Sequence, residues 1–588
     1  MSRPAAGNRS RSRRRRRQAG LMRLAVLLAV LAAAIAAAFS LTGGAPSAET
    51  IATNFATDWA HRDWRGLYRA VDQETRLTVP YGQFAGDYER AYATATVTRA
   101  RALRDVRAVG GSELVTMRIH TRLFGTLHEQ FVLPLTDAGG ERIIWHQNLA
   151  FPGLFPGETV HRSVTTPSRG VLLARTGAAL ANYSSAAGLI GSVGIASGSQ
   201  LTHIESHGFP PTAQAGLDGL EYVFQDRLAG RPGGELFAGT RVIGRARPLA
   251  GSDVKTSIDP ELQNYTTAAF DAAGTTGGAV LMDPRNGQLL ALAGSPLEET
   301  QPPGSTFKIV TTTAVLEAGL ATIDSTFPYA TYAVIDGYQL HNSDGERCGG
   351  TLLNAFAVSC NSVYAPLGVK LGAARLVSTA QRFGFDSLSP VPIAAPSTIP
   401  LPGEIPDAVA LGSTAIGQYQ DLASPLQMLR VAATIALGGR EPVPTFALAQ
   451  RPRFPRIMPA SVAATIRTMM IAVVNSSTGT GVAARLAGVV VAGKTGTAQL
   501  TVPACQTGPT GPSGDTGVSA ATAATGATGP CANIPNNPYN TDAWFVAFAP
   551  AYRPKIAVAV LLDHDGAGGT SAAPLARDLM AQALQLGY

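Results

Sequence analysis

The sequence predicts an α+β multidomain chain whose last and largest domain rests on one antiparallel sheet. Three observations predict this. The chain has 588 residues, more than one hydrophobic core serves, so about three domains are expected. From Val254 onward, strand-like apolar runs lie at both ends: "GAVLMDPRNGQLLALAG" near the start, and "GVVVAGKTGTAQL", "DAWFVAFAP" and "PKIAVAVLLD" near the finish. Between them the pattern is mainly helical, so the sheet is expected to be assembled from both ends with helices packed on it.

Residues 1–23 carry nine Arg and no acid, whereas the other 565 residues carry 38 basic and 40 acidic side chains, a net of −2. The overall +7 therefore sits in the tail, and the body has no basic excess of the kind that selects nucleic acid. Leu24 to Leu41 is an uncharged apolar stretch of 18 residues, just enough to cross a bilayer. Arg before it and none just after it fit the positive-inside rule. This gives 1–23 as a cytoplasmic tail, 24–41 as a transmembrane anchor, and a body on the extracytoplasmic side of the cell membrane. A cleaved signal peptide exports the body equally well.

Residues 47–150 form a small α+β domain in this reading. Ile51, Phe55, Trp59 and Leu67 recur at helical spacing, and "ELVTMRIHTRLFG" and "HEQFVLPLTDAGGERIIWHQN" alternate like strands around the turn "DAGGE". Residues 151–250 are richer in Gly, Pro and short apolar runs and are expected to be an extended linker domain. The region 254–588 opens with "VKTSIDPELQNYTTAAFDAA", a strand and then a helix begun at Asp-Pro. Asn286-Gly287 marks a hairpin, "STFKIVTTTAVLEAG" a helix closed by Gly319, and "SAAPLARDLMAQALQLG" a terminal amphipathic helix. Residues 501–540 interrupt the domain as a low-complexity insert rich in Gly and Thr. The four cysteines suit an oxidising compartment. Pairing 348 with 360 and 505 with 531 is natural, though sequence permits three connectivities.

The chemistry announces itself through lysine. Of 47 basic residues only five are Lys: Lys255, Lys308, Lys370, Lys494 and Lys555. Arg cannot be deprotonated in a protein, whereas Lys can serve as a base once its surroundings depress its pKa. Ser-x-x-Lys occurs at Ser252/Lys255 and at Ser305/Lys308. The first lies in a strand-like segment, where positions three apart face opposite ways. The second opens a helix, where both side chains share a face and Ser305 lies at the positive end of the helix dipole. Ser359-Cys360-Asn361 is the only Ser-x-Asn, and "KTGTA", Lys494 to Ala498, the only Lys-Thr-Gly. Ser-x-x-Lys, Ser-x-Asn and Lys-Thr-Gly in that order are the signature of serine acyl-transferases that recognise penicillin. The nine His are scattered, without HExxH, Walker A or any metal-ligand spacing, so no metal and no cofactor is expected.

The region from Val254 to the end resembles the transpeptidase domain of penicillin-binding proteins, in "PPGSTFKIVT", "LLNAFAVSCNSVY", "AIGQYQDLASPLQM", "VAGKTGTAQ" and "AWFVAFAPAYRPKIAVAVLL". "PSRGVLLARTGAALA" and "GLDGLEYVFQDRLAG" resemble the pedestal segments of the monofunctional class B members. Residues 47–150, ending "WHQNLAFPGLFPGE", resemble the nuclear-transport-factor-like domain of the methicillin-resistance type. The resemblance implies a penicillin-binding/β-lactamase-like domain at 254–588, with helices on both faces of its antiparallel sheet. It also implies an extended pedestal at 151–250 and a small cone-shaped domain at 47–150.

For the site, the resemblance implies Ser305 as nucleophile toward a D-Ala-D-Ala stem peptide and Lys308 as its base. Lys494 supplies a cation, Ser359 a proton relay, and Asn361 holds the peptide amide and Lys308. Thr495, Gly496 and Thr497 bind the substrate carboxylate or a β-lactam, with the N–H groups of Ser305 and Thr497 as oxyanion hole. Implied partners are stem peptides, β-lactams, the cytoplasmic membrane and a membrane glycosyltransferase of the cell-wall machinery. A D,D-carboxypeptidase, a β-lactamase and a penicillin sensor share the motifs; a non-catalytic cell-wall scaffold would keep the fold, and intact Ser305, Lys308, Asn361 and Lys494 argue against it. Against the class A β-lactamase pattern, Glu404 and Glu441 are the only glutamates between Ser359 and Lys494, and neither has Asn four residues on.

Overall fold

The computed structural model describes residues 46–136, 142–500 and 540–588. The expected tail, the anchor at 24–41, the 505–531 disulfide, the turn at 137–141 and nearly all of the insert at 501–540 lie outside the described residues. No helix among the described residues is long and apolar enough to cross a membrane. The chain divides into two compact units. Of the described residues, one comprises those up to Pro167 with Leu201–Pro211 and Arg231–Leu249; the other comprises Ser168–Gln200, Thr212–Gly230 and those from Ala250 to Tyr588. The range 151–250, expected as a single pedestal, thus contributes to both.

The first unit begins with helix α1 (Ala48–His61), whose N-cap Ser47 accepts from the Thr50 N–H. Ile51, Phe55 and Trp59, four residues apart, are buried on one helix face. Short helices α2 (Trp64–Ala70) and α3 (Gln73–Thr78) and the longer α4 (Tyr81–Thr94) follow. Strands β1 (Val97–Val109), β2 (Ser112–Thr121) and β3 (Thr126–Pro134) form an antiparallel sheet in that order. Phe131 of β3 meets Phe55 and Trp59 edge-on, with ring centroids 5.6 and 5.5 Å apart, the arrangement aromatic quadrupoles favour. The buried Trp59 Nε1 donates to the Ala150 carbonyl at 3.1 Å. A second antiparallel sheet of β4 (Val160–Thr165), β5 (Gly233–Ala238) and β6 (Arg241–Ala246) adds Leu236 and Ala238 to the same core.

The second unit contains the five-stranded sheet that positions the site. Its strands are β7 (Gly277–Asp283), β8 (Gln288–Gly294), β9 (Ala492–Gln499), β10 (Thr541–Ala549) and β11 (Ile556–Leu562), ordered β8-β7-β11-β10-β9 and antiparallel throughout. The sheet is therefore assembled from both ends of the domain. Every residue of β7, β10 and β11 is buried, so both faces are covered; this explains their unbroken apolar runs, where a one-sided sheet would alternate.

Helix α5 (Pro260–Asp271) starts at Asp259, whose carboxylate accepts from the N–H groups of Glu261 and Leu262, and has Pro in its first turn. It packs with the terminal helix α10 (Ala572–Gln585) against the sheet. Helices α6 (Lys308–Glu317), α8 (Pro425–Ala436) and α9 (Ala460–Asn475) pack together, and α8 and α9 also lie on sheet strands. Helix α7 (Asn361–Leu371) packs on α6. All twelve residues of α8 are buried, its N-terminus satisfied by Ser424, which accepts from the Gln427 N–H. A disulfide joins Cys348 to Cys360.

Candidate active site

Three remote stretches of sequence converge on the N-terminus of α6. Ser305 lies in a 3₁₀ turn, Gly304–Phe307, that leads directly into the helix. Gly304 has φ +51°, the left-handed region that favours glycine, and its N–H donates to the Gly417 carbonyl at 2.9 Å. Thr306 Oγ1 closes the turn on the Pro303 carbonyl at 2.6 Å. Strand β9 lies against this turn because residue 496 has no side chain: a Cβ there would stand 2.8 Å from Trp544 Cβ and 3.0 Å from the Pro303 carbonyl. Lys-Thr-Gly therefore needs its glycine for close approach to the serine.

Ser359 ends the turn between the short helix Leu352–Ala357 and α7. Its φ of +61° is unusual for a residue with a Cβ and costs on the order of 1 kcal/mol. The Cys360 N–H on the Ala355 carbonyl at 2.8 Å and the Cys348–Cys360 disulfide hold this turn. The strained conformation turns both the carbonyl and the hydroxyl of Ser359 toward the lysines.

Lys308 is wholly buried. Its Nζ lies 3.0 Å from Ser305 Oγ, 2.7 Å from the Ser359 carbonyl, 3.3 Å from Ser359 Oγ and 2.6 Å from Asn361 Oδ1. Asn361 is oriented by its other end, where Nδ2 donates to the His341 carbonyl at 3.0 Å. The two closest neighbours of Nζ are carbonyl oxygens, which only accept. A neutral amine that gives its two protons to these oxygens keeps its lone pair for the Ser305 hydroxyl. Burial pushes the Lys308 ammonium well below its ordinary pKa, and the nearby charge of Lys494 pushes it the same way. Lys494, also buried, donates to Ser359 Oγ at 2.8 Å and to the Thr495 carbonyl at 2.9 Å, and burial lowers its pKa to about 7. Ser359 Oγ thus bridges the two amines.

Two cavities meet at Ser305. One, of about 490 Å³, is lined by Tyr338, His341, Asn361, Gln418, Thr497 and Gln499. The other, of about 310 Å³, is lined by Ser359, Thr480, Thr495, Thr497, Ala567 and Thr570. Strand β9 is an edge of the sheet, and the Gln418 amide pairs with that edge: Nε2 donates to the Thr497 carbonyl at 3.1 Å and Oε1 accepts from the Gln499 N–H at 3.1 Å. The N–H and C=O of one strand residue point the same way, so the Thr497 N–H faces the cleft as its carbonyl does.

Of the residues selected from sequence, Ser305, Lys308, Ser359, Asn361 and Lys494 are linked by hydrogen-bond distances, and Thr495 and Thr497 line the cleft beside them. Gly496 lines neither of these cavities and acts by its lack of volume. The rival pair takes no part, since Ser252 and Lys255 are both exposed and neither lines the two cavities. Several cleft residues lie outside the sequence motifs, Gln418 and Thr480 among them. Gln418 lies in the quoted segment "AIGQYQ", but its strand-like pairing was not inferable there. Thr480 lies in "SSTGTG", where nothing but small-residue composition marks it.

Residues 277–581 match the family described as penicillin binding protein transpeptidase domain. The peptidoglycan D,D-transpeptidase PbpA of Mycobacterium tuberculosis is 33% identical over 428 residues, covering 61% of this chain and 76% of that protein. The protein of the same name from Mycolicibacterium smegmatis is 32% identical over 426 residues, covering 62% of this chain and 77% of that protein. A penicillin-binding protein, PBP2, solved in complex with MreC from Helicobacter pylori is similar in fold, with TM-score 0.60, 18% identity, and coverage of 73% of this chain and 99% of that one. With the family match spanning more than half of its residues and three quarters of each mycobacterial relative aligned, the chain belongs to the penicillin-binding protein transpeptidase family.

Proposed function

We propose that the protein is a peptidoglycan D,D-transpeptidase, a serine acyl-transferase that cross-links stem peptides and is acylated by β-lactams. The observation that carries this is the buried Lys308 amine, within hydrogen-bond distance of Ser305 Oγ and of the carbonyl oxygens of Ser359 and Asn361. Lys308 takes the Ser305 proton as Oγ attacks the carbonyl carbon of the D-Ala-D-Ala bond. The N–H groups of Ser305 and Thr497 hold the resulting oxyanion. The proton passes through the Ser359 hydroxyl to the departing D-alanine nitrogen as the C–N bond breaks, leaving an acyl ester on Ser305. An amine of a second stem peptide then attacks the ester, which releases Ser305 and completes the cross-link. Lys494 with Thr495 and Thr497 receives the substrate's C-terminal carboxylate.

In the same reading the chain is a class B protein held at the cell membrane through 24–41, with its body outside and a membrane glycosyltransferase as partner. The helices and three-stranded sheet of the first unit support a nuclear-transport-factor-like domain. A fluorescent penicillin is expected to label the wild type and not Ser305→Ala; labelling of that variant would place the nucleophile elsewhere. Covalent dimers formed from stem peptides, rather than D-alanine release alone, separate the transpeptidase from a carboxypeptidase.

The two lysines set the pH profile. As pH falls through the depressed pKa of Lys308, the amine gains a proton, loses its lone pair, and acylation slows. Above about 7, Lys494 loses the charge that draws the carboxylate, so kcat/KM declines on the alkaline side. A bound carboxylate favours the charged ammonium, so the alkaline limb of kcat lies at higher pH than that of kcat/KM. A kcat/KM that keeps rising above neutrality rules out a charged Lys494 in substrate capture.

A further inference from the structure

We propose that Thr480 is a positioning residue for the substrate's C-terminal carboxylate, acting through Thr495. This rests on the transpeptidase reading above and adds a third hydroxyl to that end of the cleft.

Thr480 Oγ1 stands 2.6 Å from Thr495 Oγ1, and both residues line the smaller cavity next to Ser305. The backbone at 480 is fixed. Its N–H donates to the Ala357 carbonyl at 3.1 Å, and the next N–H, of Gly481, donates to the Val473 carbonyl of α9 at 2.9 Å. The first of these bonds ties Thr480 to the helix end that carries the strained Ser359 turn. Its hydroxyl lies only loosely near the same Ala357 oxygen, at 3.4 Å, so its short partner is Thr495.

Each hydroxyl has one proton to give and two lone pairs. If Thr495 donates to Thr480, Thr495 shows the cavity only lone pairs, which repel an anion. If Thr480 donates to Thr495, the Thr495 proton is free to point into the cavity. A carboxylate selects the second arrangement, a chain running from Thr480 through Thr495 to the anion in which each bond polarises the next. Thr497 is supplied in the same way: the Gly568 N–H, 3.4 Å away, points at Thr497 Oγ1 and leaves the Thr497 proton for a ligand. Each threonine of the Lys-Thr-Gly-Thr segment thus has a donor behind it. For Thr497 the donor is backbone; for Thr495 it is a side chain that a substitution can remove.

The test compares Thr480→Val, which keeps the shape and removes the hydroxyl, with Thr480→Ser, which keeps the hydroxyl. Full-length protein is assayed for Ser305-dependent turnover of a stem peptide ending in D-Ala-D-Ala and of the same peptide with its C-terminus amidated. Thr480→Val should lower the preference for free acid over amide about tenfold, mostly through KM, the scale of weakening one hydrogen bond to a charged group. Thr480→Ser should restore most of that preference. An unchanged preference in Thr480→Val overturns the proposal, whether both rates hold or both fall together; a joint fall means the threonine only supports the fold. Turnover that survives Ser305→Ala would instead overturn the transpeptidase reading, so the two failures are distinct.

Discussion

Lys308→Arg abolishes acylation of Ser305 for practical purposes while leaving the protein folded. The expected loss is about 10²–10⁴-fold in the acylation rate, the span that a positioned general base supplies. A guanidinium has N–H donors for the Ser359 carbonyl and Asn361 Oδ1, 2.7 and 2.6 Å from the present amine. It has no lone pair at any accessible pH, so the Ser305 proton has nowhere to go. Hydrogen bonding is thus retained and basicity removed, with a fixed charge standing where the working base is neutral. The measurement is the mass of the protein at intervals after mixing with penicillin, beside a thermal melt showing a folded variant. An acyl adduct forming at near the wild-type rate would mean that Lys308 serves as a structural cation and that another group takes the proton. Ser359 is then the next to test, since its hydroxyl is the bridge to Lys494 at 2.8 Å.

The reason so much of this site was legible in one sequence is that its chemistry demands particular residues at separations fixed by local geometry. Ser305 and Lys308 must be one turn apart to touch, and in a chain that writes Arg almost everywhere a lysine there stands out. The strands that frame the site were legible for a related reason: β7, β10 and β11 are buried on both faces and so read as unbroken apolar runs. Strand β1 was missed because its pattern carries no such contrast. Arg99 and Arg101 face solvent, Arg101 opposite Arg118, while the inward residues are the small Ala100 and Ala102. Alternation of Arg with Ala does not look like a strand, although it obeys the same period of two. The local form of the nucleophile turn was also hidden. "GSTFK" suggests a helix beginning at the serine, but the left-handed Gly304 and the Thr306 hydroxyl tighten the first turn to 3₁₀, and the α-helix begins at Lys308. Thr480 depends on a meeting of a loop and a strand that no spacing encodes.

The second large effect concerns stability and lies away from the cleft. Glu441→Ala is expected to cost about 3–5 kcal/mol, the usual penalty for removing one member of a buried ion pair. Helix α8 is buried along its whole length, yet it carries Arg430. That charge is tolerable because Nε donates to Glu441 Oε1 at 2.7 Å and another guanidinium nitrogen to Gln427 Oε1 at 2.5 Å. Glu441 is placed by the backbone, its N–H on the Pro455 carbonyl at 2.8 Å. Both side chains are nearly closed to water, at 9% and 8% exposure, so screening does little to soften the loss. With Ala at 441, Arg430 keeps its charge, because a guanidinium cannot shed its proton, and only the neutral Gln427 remains to receive it. The cost is that of an abandoned charge, and it differs from the net worth of the pair. Attraction within a buried pair is largely offset by the desolvation of its members. The double variant Arg430→Met, Glu441→Leu should therefore recover most of the stability lost in Glu441→Ala, because apolar side chains of similar volume refill the space. Thermal melts of the three proteins decide the matter. A double variant no more stable than Glu441→Ala would show that the pair contributes through its own attraction, and that α8 needs the ions themselves to seat against β10 and β11.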